Sequence, residues 1–372
     1  MKRVLVLFCL LLTCGLVLAE PVTFPQLSPG LSYRLERDGD HPWAITVLTV
    51  DRAHAEYRLV STLAGNTIFG LSTVVEQVKG LPAELGTPVA AVNADYFAIQ
   101  PGPYQGDLDG LFIHRGELVS AGGGDTFWVD AQGQPHVDRV TTALEVGWPD
   151  GTRTPLGLNG PRAESAAVLY TPILGPSTRT AGGRELILER HGEGPWLPLK
   201  IGGQITARVR EVREAGDTPL APDLMVLSLG SKLAVPQIAA GETVQITATS
   251  TPDLTGVEVA MGGGPVLLKN GTAREFGGEQ PRHPRTLIGW NARQFFFVVV
   301  DGRRAGWSAG MSMPELAALA QRLGCTDALN FDGGGSSTLW LNDAVMNLPS
   351  DGQPRRVGNT LVLVKRDQNE RE

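Results

Sequence analysis

The sequence predicts an α+β fold with a β-rich mixed-sheet core, few helices, and a β-rich middle insertion or subdomain. Three observations support this prediction. First, 46 glycines and 26 prolines interrupt short runs rich in valine, threonine and leucine, a pattern typical of many short strands joined by turns. Second, a complete helix signature occurs in one segment. Third, residues 111–250 alternate short strands with glycine turns such as Asp150-Gly151 and Gly202-Gly203.

Several apolar segments are predicted to be core strands because they are rich in β-branched and aromatic residues. They are 44–50, 56–62, 88–93, 258–268, 295–300 and 327–331. The strand 88–93 ends in polar residues, and the glycine turn Gly262-Gly263-Gly264-Pro265 falls within 258–268. A short helix is predicted over 72–80, with Ser72 as its N-cap.

Residues 313–323 carry the complete helix signature. Ser312 and Glu315 match a capping box, in which serine caps the first turn and glutamate reaches back to the serine amide. Apolar residues then recur on one face, and Gly324 ends the helix. Since this helix lies between the strands 295–300 and 327–331, we expect a βαβ-like step that delivers the next residues to a strand's carboxyl end, where ligands commonly bind.

The first nineteen residues have the features of a signal peptide. Lys2 and Arg3 precede an apolar run, and Val17-Leu18-Ala19 offers a small residue for cleavage. We expect a secreted or periplasmic protein with no stable membrane insertion after cleavage. Thr13-Cys14 fits a lipoprotein cleavage site poorly, so a lipid-anchored form is not expected.

The rest of the chain is divided on composition and motif content. The predicted parts are the N-terminal part (20–125) and the C-terminal part (256–366) of the domain that carries the candidate functional motifs, a β-rich insertion or subdomain (126–255) between them, and a polar tail (367–372). The middle part has low charge density and no sharp chemical motif.

Charge and cysteine content exclude several classes of protein. Without Lys2 and Arg3, 30 basic residues face 39 acidic ones, and the net charge becomes −9. Such a chain offers no broad surface for nucleic acid or anionic lipid, so an anion requires a local site. Cys325 is the one cysteine after residue 19, which excludes an intramolecular disulfide and a cysteine-based metal site. We expect it to pack as a small hydrophobe.

The segment Asn330–Thr338 combines a carboxylate, three consecutive glycines and hydroxyls. Asp332 follows a buried run, and Gly333, Gly334 and Gly335 allow backbone amides to approach a ligand closely. Ser336 and Ser337 follow at once. This combination suits a ligand that is both phosphate and sugar. A tight glycine-rich turn with a solvated aspartate is the alternative.

Two further polar clusters are candidates for the same site. In His283-Pro284-Arg285-Thr286, the arginine fork suits a phosphate or carboxylate, although a surface arginine is the alternative. In Asn93-Ala94-Asp95-Tyr96-Phe97, Asn93 could bind a sugar hydroxyl and an aromatic ring could pack on a sugar face. A strand-end turn with core aromatics fits that cluster equally well.

Other motifs carry little chemistry. Gly306–Gly310 matches G-x-S-x-G, but all six histidines precede Ser308, which contradicts the order required by that fold. Scattered histidines exclude a zinc motif. Asp107-Leu108-Asp109-Gly110 hints at calcium but lacks the remaining loop ligands. We therefore expect no cofactor and no metal ligands, with calcium as the open alternative.

Taken together, these blocks resemble the phosphodiester glycosidase family. The segments that carry the resemblance are Val92–Phe97, Gly262–Pro265, His283–Thr286, Asp301-Gly302-Arg303, Gly310-Met311 with the capped helix, Asn330–Ser337, Asn347–Gly352 and Arg356–Asn359. The resemblance is densest over about 260–365, with a separate match near 90–120. Members of the family usually have glycine where this chain has Asp95, so no catalytic role is transferred to that residue.

The resemblance implies a hydrolase that releases a sugar from a sugar-1-phosphodiester in a phosphorylated glycan or envelope polysaccharide. Its implied catalytic residues are Asp332, Arg285 and His283, with Asp301 as a candidate second carboxylate. Its implied substrate-binding residues are Asn93, Gly263, Thr286, Gly333, Gly334, Gly335, Ser336 and Ser337. The alternative is a noncatalytic binder of anionic envelope polysaccharide that uses the same cleft.

Overall fold

The computed structural model describes residues 27–38 and 42–366. The expected signal peptide (1–19) and polar tail (367–372) lie outside the described residues, so cleavage near Ala19 stays a prediction. In the described part, no helix has both the length and the apolar composition needed to cross a membrane.

The predicted β-rich fold with few helices is confirmed, since the described residues form many strands and two α-helices. The helices are α1 (Val74–Lys79) and α2 (Met313–Arg322). The strands are β1 (Leu31–Asp38), β2 (Trp43–Asp51), β3 (Tyr57–Leu63), β4 (Thr87–Asn93), β5 (Leu111–His114), β6 (Glu117–Ala121), β7 (Gly124–Val129), β8 (Pro135–Gly147), β9 (Arg153–Leu158), β10 (Ala167–Tyr170), β11 (Arg184–Arg190), β12 (Gln204–Arg213), β13 (Met225–Leu229), β14 (Thr243–Thr251), β15 (Val259–Gly262), β16 (Val266–Lys269), β17 (Thr272–Ala273), β18 (Arg285–Trp290), β19 (Gln294–Val300), β20 (Asp327–Phe331), β21 (Leu339–Leu341), β22 (Ala344–Val345) and β23 (Asn359–Lys365).

Two of the three sheets pack face to face and carry the candidate site at one end. Sheet I has the order β1-β2-β19-β18-β20-β16-β17, and sheet III has the order β22-β21-β4-β23-β3. Buried side chains from the two sheets, including Phe297, Leu329, Ala91 and Leu361, form one core between them. The opposite face of sheet I is covered by α2, where Leu316 and Leu319 join a second core.

The predicted βαβ-like step is present, with one strand inserted. Strands β19 and β20 each pair antiparallel with β18, so they run parallel to each other on either side of it. Helix α2 connects them. Its capping box forms as predicted, because Ser312 accepts from the Glu315 amide while Glu315 accepts from the Ser312 amide.

The middle of the chain forms a closed β-barrel. Sheet II has the order β14-β12-β11-β13-β10-β9-β8-β7-β15-β5-β6, and β14 also pairs with β8. The seven strands from β8 to β14 therefore form a ring, and the apolar core inside it includes Leu144, Leu186 and Val209. The division of the chain into catalytic parts and an insertion stays a prediction.

Two local predictions need correction. Helix α1 begins after Thr73 rather than Ser72, because Thr73 forms the capping box with Glu76. The predicted strand 258–268 is two strands, β15 and β16, in different sheets. The turn between them contains Gly263, at which a Cβ would lie 2.7 Å from the Asn330 carbonyl oxygen. The chain therefore changes sheets at a point of close backbone approach.

Candidate active site

The candidate residues meet where five strands of sheets I and III begin or end. Arg285 begins β18, and Phe331 at the end of β20 pairs with Thr286. In sheet III, Asn93 ends β4 and pairs with Thr360 near the start of β23. Strand β19 ends at the same edge, since Val300 pairs with Arg285. The fold thus brings polar residues that are distant in sequence to one edge.

Asp332 lies half-buried at the mouth of the glycine turn. Its Oδ1 accepts from the Gly333 amide at 2.8 Å, and its own amide donates to the Ala94 carbonyl. Burial raises the pKa of Asp332, whereas the adjacent Ser336 hydroxyl, the Gly333 amide and the Arg355 charge oppose the rise. The carboxylate is therefore held next to donors yet remains accessible.

The glycine turn is packed tightly against the segment before Arg285. The Gly334 amide donates to the Pro284 carbonyl at 2.9 Å. A Cβ at Gly333 would lie 2.6 Å from the same carbonyl oxygen, and Gly334 has φ of 62°. The Gly333 and Gly334 amides, two of the three predicted to bind an anion, thus form hydrogen bonds within the protein. The Gly335 amide forms none with a described residue.

Arg285 is a buried cation without a carboxylate partner among the described residues. Its Nε donates to the Met311 carbonyl at 2.8 Å and its Nη2 to the Pro281 carbonyl at 3.1 Å. Burial lowers the pKa of the guanidinium. These two carbonyls fix the plane of the fork and leave its other N–H groups for an anion.

His283 lies beside Arg285 and contacts Arg303. Arg303 Nη2 lies 3.3 Å from His283 Nδ1, which assigns that nitrogen as an acceptor and the neutral ring's proton to Nε2. Burial, followed by the charges of Arg285 and Arg303, lowers the pKa of His283. The imidazole is thus neutral near pH 7 and can donate through Nε2.

Asn93 is fully buried and connects three of the segments around the site. Its Nδ2 donates to the Asp332 carbonyl at 2.7 Å, and its Oδ1 accepts from Thr286 Oγ1 at 2.9 Å and from the Thr338 amide at 3.1 Å. With both side-chain atoms engaged, Asn93 and Thr286 lie beneath the site and position Asp332. The structure does not place either side chain at the surface of the cleft.

Asp301 and Ser308 form a separate buried network. The Asp301 carboxylate accepts from Trp307 Nε1, Asn347 Nδ2 and the Leu348 amide. Ser308 is fully buried, and its hydroxyl donates to the Asp301 carbonyl at 2.5 Å. The Asp301 carboxylate therefore fixes the position of Asn347 and Leu348, which follow β22. The Ser308 hydroxyl is not accessible to solvent.

Tyr96 lies close enough to Asp332 and Arg285 for both charges to act on its hydroxyl. Its hydroxyl donates to the Gly264 carbonyl at 2.9 Å and accepts from Asn330 Nδ2 at 2.7 Å. Burial and the Asp332 charge raise the pKa of Tyr96 to about 12, while the Arg285 charge opposes that rise. The hydroxyl therefore stays protonated, and the charges of Asp332 and Arg285 both act on it. Gly263 lies behind it, with its amide bonded to the Asp125 carbonyl.

Further carboxylates occur in the segment that follows Asn93. Asp95 is fully buried, bonds to Asn359 Nδ2, and has a pKa raised well above its usual value, first by burial and then by Asp109 and Asp332. Asp107 is half-buried, and burial followed by Asp109 raises its pKa to about 6. Asp109 is exposed. The sequence patterns did not associate these residues with Asp332.

Two arginines with no role predicted from the sequence contact the glycine turn. A Cβ at Gly334 would lie 3.1 Å from Arg303 Nη1, and one at Gly335 would lie 2.1 Å from Arg355 Nη2. Arg355 pairs with Asp351 at 2.8 Å. The glycines thus make room for guanidinium groups as well as for a ligand. Arg303 has φ of 58°, an unusual conformation for a non-glycine residue, and its motif Asp301-Gly302-Arg303 assigned no role to the arginine.

Comparisons with known proteins agree with the sequence motifs. Residues 204–364 match the family model described as phosphodiester glycosidase, and no curated protein matches the chain. The match begins before the predicted dense segment of about 260–365 and includes part of the barrel, whereas the predicted separate match near 90–120 lies outside it.

Similar solved structures support the fold. A hypothetical protein from Synechocystis is 21% identical with a TM-score of 0.70, covering 90% of this chain and 62% of that one. This chain therefore spans less than two thirds of that protein. A Burkholderia pseudomallei K96243 protein, provisionally described as exported, is 22% identical with a TM-score of 0.66, covering 87% and 74%. At these identities, the likeness shows the fold alone.

A third solved structure is the zebrafish N-acetylglucosamine-1-phosphodiester alpha-N-acetylglucosaminidase catalytic domain, auto-inhibited by its pro-peptide. It is 14% identical with a TM-score of 0.48 and covers 94% of this chain and 86% of that one, a likeness too weak to carry an argument. The family model includes His283, Arg285, Asp301 and Asp332 in its matched range. The resemblance of this chain to the phosphodiester glycosidases is thereby confirmed over residues 204–364.

Proposed function

We propose that the protein is an exported hydrolase that cleaves the bond between a sugar and phosphate in a sugar-1-phosphodiester of a glycan or envelope polysaccharide. The observation that carries the proposal is that Arg285 and Asp332 lie opposite each other at the ends of two antiparallel strands, since each is one residue beyond the pair Thr286 and Phe331. A carboxylate for the sugar and a guanidinium for the phosphate thus occupy one edge of the fold, and both lie in the range that matches the family.

The charges around the site suit a phosphate leaving group. Neither Arg285 nor Arg303 forms an ion pair with a carboxylate of the described residues, so both can pair with an anion. Phosphate is stable as an anion, which reduces the need for a general acid. Fixed guanidinium groups stabilise the charge that develops on it as the bond breaks.

Asp332 is the group proposed to act at the sugar. Its carboxylate either activates water or stabilises the oxocarbenium-like centre. Ser336 lies beside it, and the neutral His283 ring can donate to the leaving phosphate or transfer a proton. Asn93 and Thr286 act indirectly. Asn93 donates to the Asp332 carbonyl, and Thr286 on the neighbouring strand β18 donates to Asn93, so together they position Asp332. The second carboxylate is not assigned, because Asp301 and Asp95 are both deeply buried.

The alternative is a noncatalytic binder of anionic envelope polysaccharide. The test is a screen of sugar-1-phosphodiesters with the purified protein, measuring both turnover and binding. We expect turnover that Asp332→Asn reduces, whereas binding without turnover by the unchanged protein would favour the alternative. Parallel reactions with EDTA test the expectation that no metal is required, and activity lost with EDTA and restored by calcium would contradict it.

Export is part of the proposal. It rests on the signal-peptide pattern of residues 1–19 and is compatible with the provisional description of the Burkholderia protein. N-terminal sequencing of the protein from a culture supernatant or periplasmic fraction tests it. We expect a start near Glu20, and a mature protein that retains Lys2 and Arg3 would contradict export.

A further inference from the structure

A cleft lies at the end of the two sheets opposite the candidate active site. Its volume is about 1320 Å³, and Val50 and Phe295 line it. These residues pair with each other, and Phe295 also pairs with Trp290 at the end of β18 opposite Arg285. The cleft is therefore separated from Asp332 by the length of the sheets.

Arginines from five separate segments line this cleft, which we call the arginine cleft. They are Arg52, Arg58, Arg115, Arg293 and Arg366. Three carboxylates also line it, those of Asp51, Asp130 and Glu258, so the lining carries a net positive charge in a chain whose net charge is −7. A local excess of positive charge in an acidic protein attracts anions to one place.

Arg115 pairs with Glu84 outside the lining at 3.4 Å, but the lining carboxylates neutralise the other arginines incompletely, because two of them bond elsewhere. Asp51 accepts from the Ala53 amide of its own turn. Asp130 accepts from the Gln132 and Gln134 amides and from His136. Neither carboxylate forms an ion pair with an arginine of the cleft within the described ranges.

Arg58 and Arg293 are the arginines best placed to bind a ligand. Arg58 is half-buried and donates one hydrogen bond through Nη2 to the Leu85 carbonyl, while its buried Nε has no partner within the described residues. Arg293 is exposed, and its guanidinium makes no hydrogen bond or ion pair within the described part of the chain.

The size and lining of the cleft favour an extended saccharide over a single ion. Its volume exceeds the range of about 300–1,000 Å³ for small-molecule pockets. Tyr57, Phe295 and Leu363 add apolar and aromatic surface beside the arginines. Nucleic acid is disfavoured, because its backbone needs a broad basic surface that the acidic chain lacks.

We propose that the arginine cleft is a second binding site, distinct from the active site, for a saccharide that carries carboxylate or phosphate groups. Arginine forks pair with the acidic groups, and sugar rings contact the aromatic and apolar wall. This site does not depend on the hydrolase proposal, since it would hold a chain equally well if Asp332 had no catalytic role.

The test is isothermal titration calorimetry of the whole mature chain with three probes: an oligogalacturonate, a mannooligosaccharide phosphorylated at its 6-hydroxyls, and a neutral maltooligosaccharide. We expect the carboxylated or the phosphorylated probe to bind and the neutral probe not to bind. Affinity should fall with added salt. Equal binding of the neutral probe, or binding of no probe, would overturn the proposal.

Matched variants locate the site. Arg58→Gln and Arg293→Gln each remove a charge and should weaken binding about tenfold, as expected for a charge-assisted hydrogen bond. Arg153→Gln, in an exposed ion pair on the barrel, is the control and should bind normally. Arg293 is exposed, so its variant tests the site even if Arg58→Gln folds poorly.

Two outcomes would refute the proposal, one by placing the saccharide in another site and one by assigning the cleft to another class of ligand. One is loss of binding in Asp332→Asn with full binding in Arg293→Gln, which would place the saccharide in the active site. The other is tighter binding of a single-stranded oligonucleotide of matched charge, with the same dependence on Arg293. Binding by Asp332→Asn at the affinity of the unchanged protein would support a separate site.

Discussion

Replacing Asp332 by asparagine removes one charge while keeping the side chain's size and its acceptor for the Gly333 amide. A carboxylate about 4 Å from a developing positive centre contributes ~4 kcal/mol at an effective dielectric constant of ~20. Because Asp332 is half-buried and partly solvated, part of that interaction is screened. We therefore expect kcat to fall by ~10²-fold or more, with a smaller change in KM.

The same substitution should leave the folded state intact. Burial raises the pKa of Asp332, so the folded protein binds this proton more tightly than the unfolded chain does. The stability that this group contributes is present below its unfolded pKa and is lost as pH rises through its folded pKa. At pH 7 the free energy of unfolding of Asp332→Asn should thus equal or exceed that of the unchanged protein. Any gain should vanish in acid.

Steady-state kinetics on an aryl phosphodiester of a 1-phosphosugar measure the first effect, and urea denaturation at pH 7 and at acidic pH measures the second. Loss of kcat together with unchanged or higher stability supports a functional role for the charge. If kcat stays within threefold, Asp332 is not the reacting carboxylate. If the variant unfolds more easily at pH 7, the account of its burial is wrong.

Four further substitutions separate catalysis from structure, each measured by kinetics and thermal melts. Arg285→Ala should raise KM and lower kcat, because the phosphate loses its guanidinium; unchanged kinetics would exclude this role. Asp301→Asn should lower the free energy of unfolding by ~1–3 kcal/mol, since one oxygen no longer accepts, with kcat of the folded fraction nearly unchanged; a loss as large as that of Asp332→Asn would make Asp301 catalytic. Gly333→Ala should cost ~1–3 kcal/mol because its Cβ would lie 2.6 Å from the Pro284 oxygen; full stability would refute that packing. Ser308→Ala should keep turnover, and a folded but inactive variant would contradict this.

Features that depend on local chemistry could be predicted from the sequence. The capping box at Ser312 and Glu315 needs neighbouring residues alone, and it forms as predicted. The strand ending at Phe331 could be predicted because an apolar run and a glycine turn define both of its ends. The burial of Cys325 followed from its position after an apolar helix.

Features that depend on pairings distant in sequence could not be predicted. The barrel closes because β8 pairs with β14, about one hundred residues later, and neither strand's pattern encodes that partner. The sequence suggests that Asn93 binds a ligand, because nothing local shows that its side chain bonds to Thr286 and Thr338 far along the chain. A role for Arg355 at the site could not be predicted for the same reason, since its position next to Gly335 depends on the whole fold.

Closure of the barrel also limits how the protein can associate with itself. The ring of seven strands has no unpaired edge, and β17 and β22, which each form one of the two edges of sheets I and III, are two residues long. The longer edge strand β1 carries Arg34, Glu36 and Asp38. Short or charged edges are the means by which natural β proteins prevent strands of neighbouring molecules from pairing. Apolar replacements of the charged residues of β1 would therefore create an adhesive edge on sheet I.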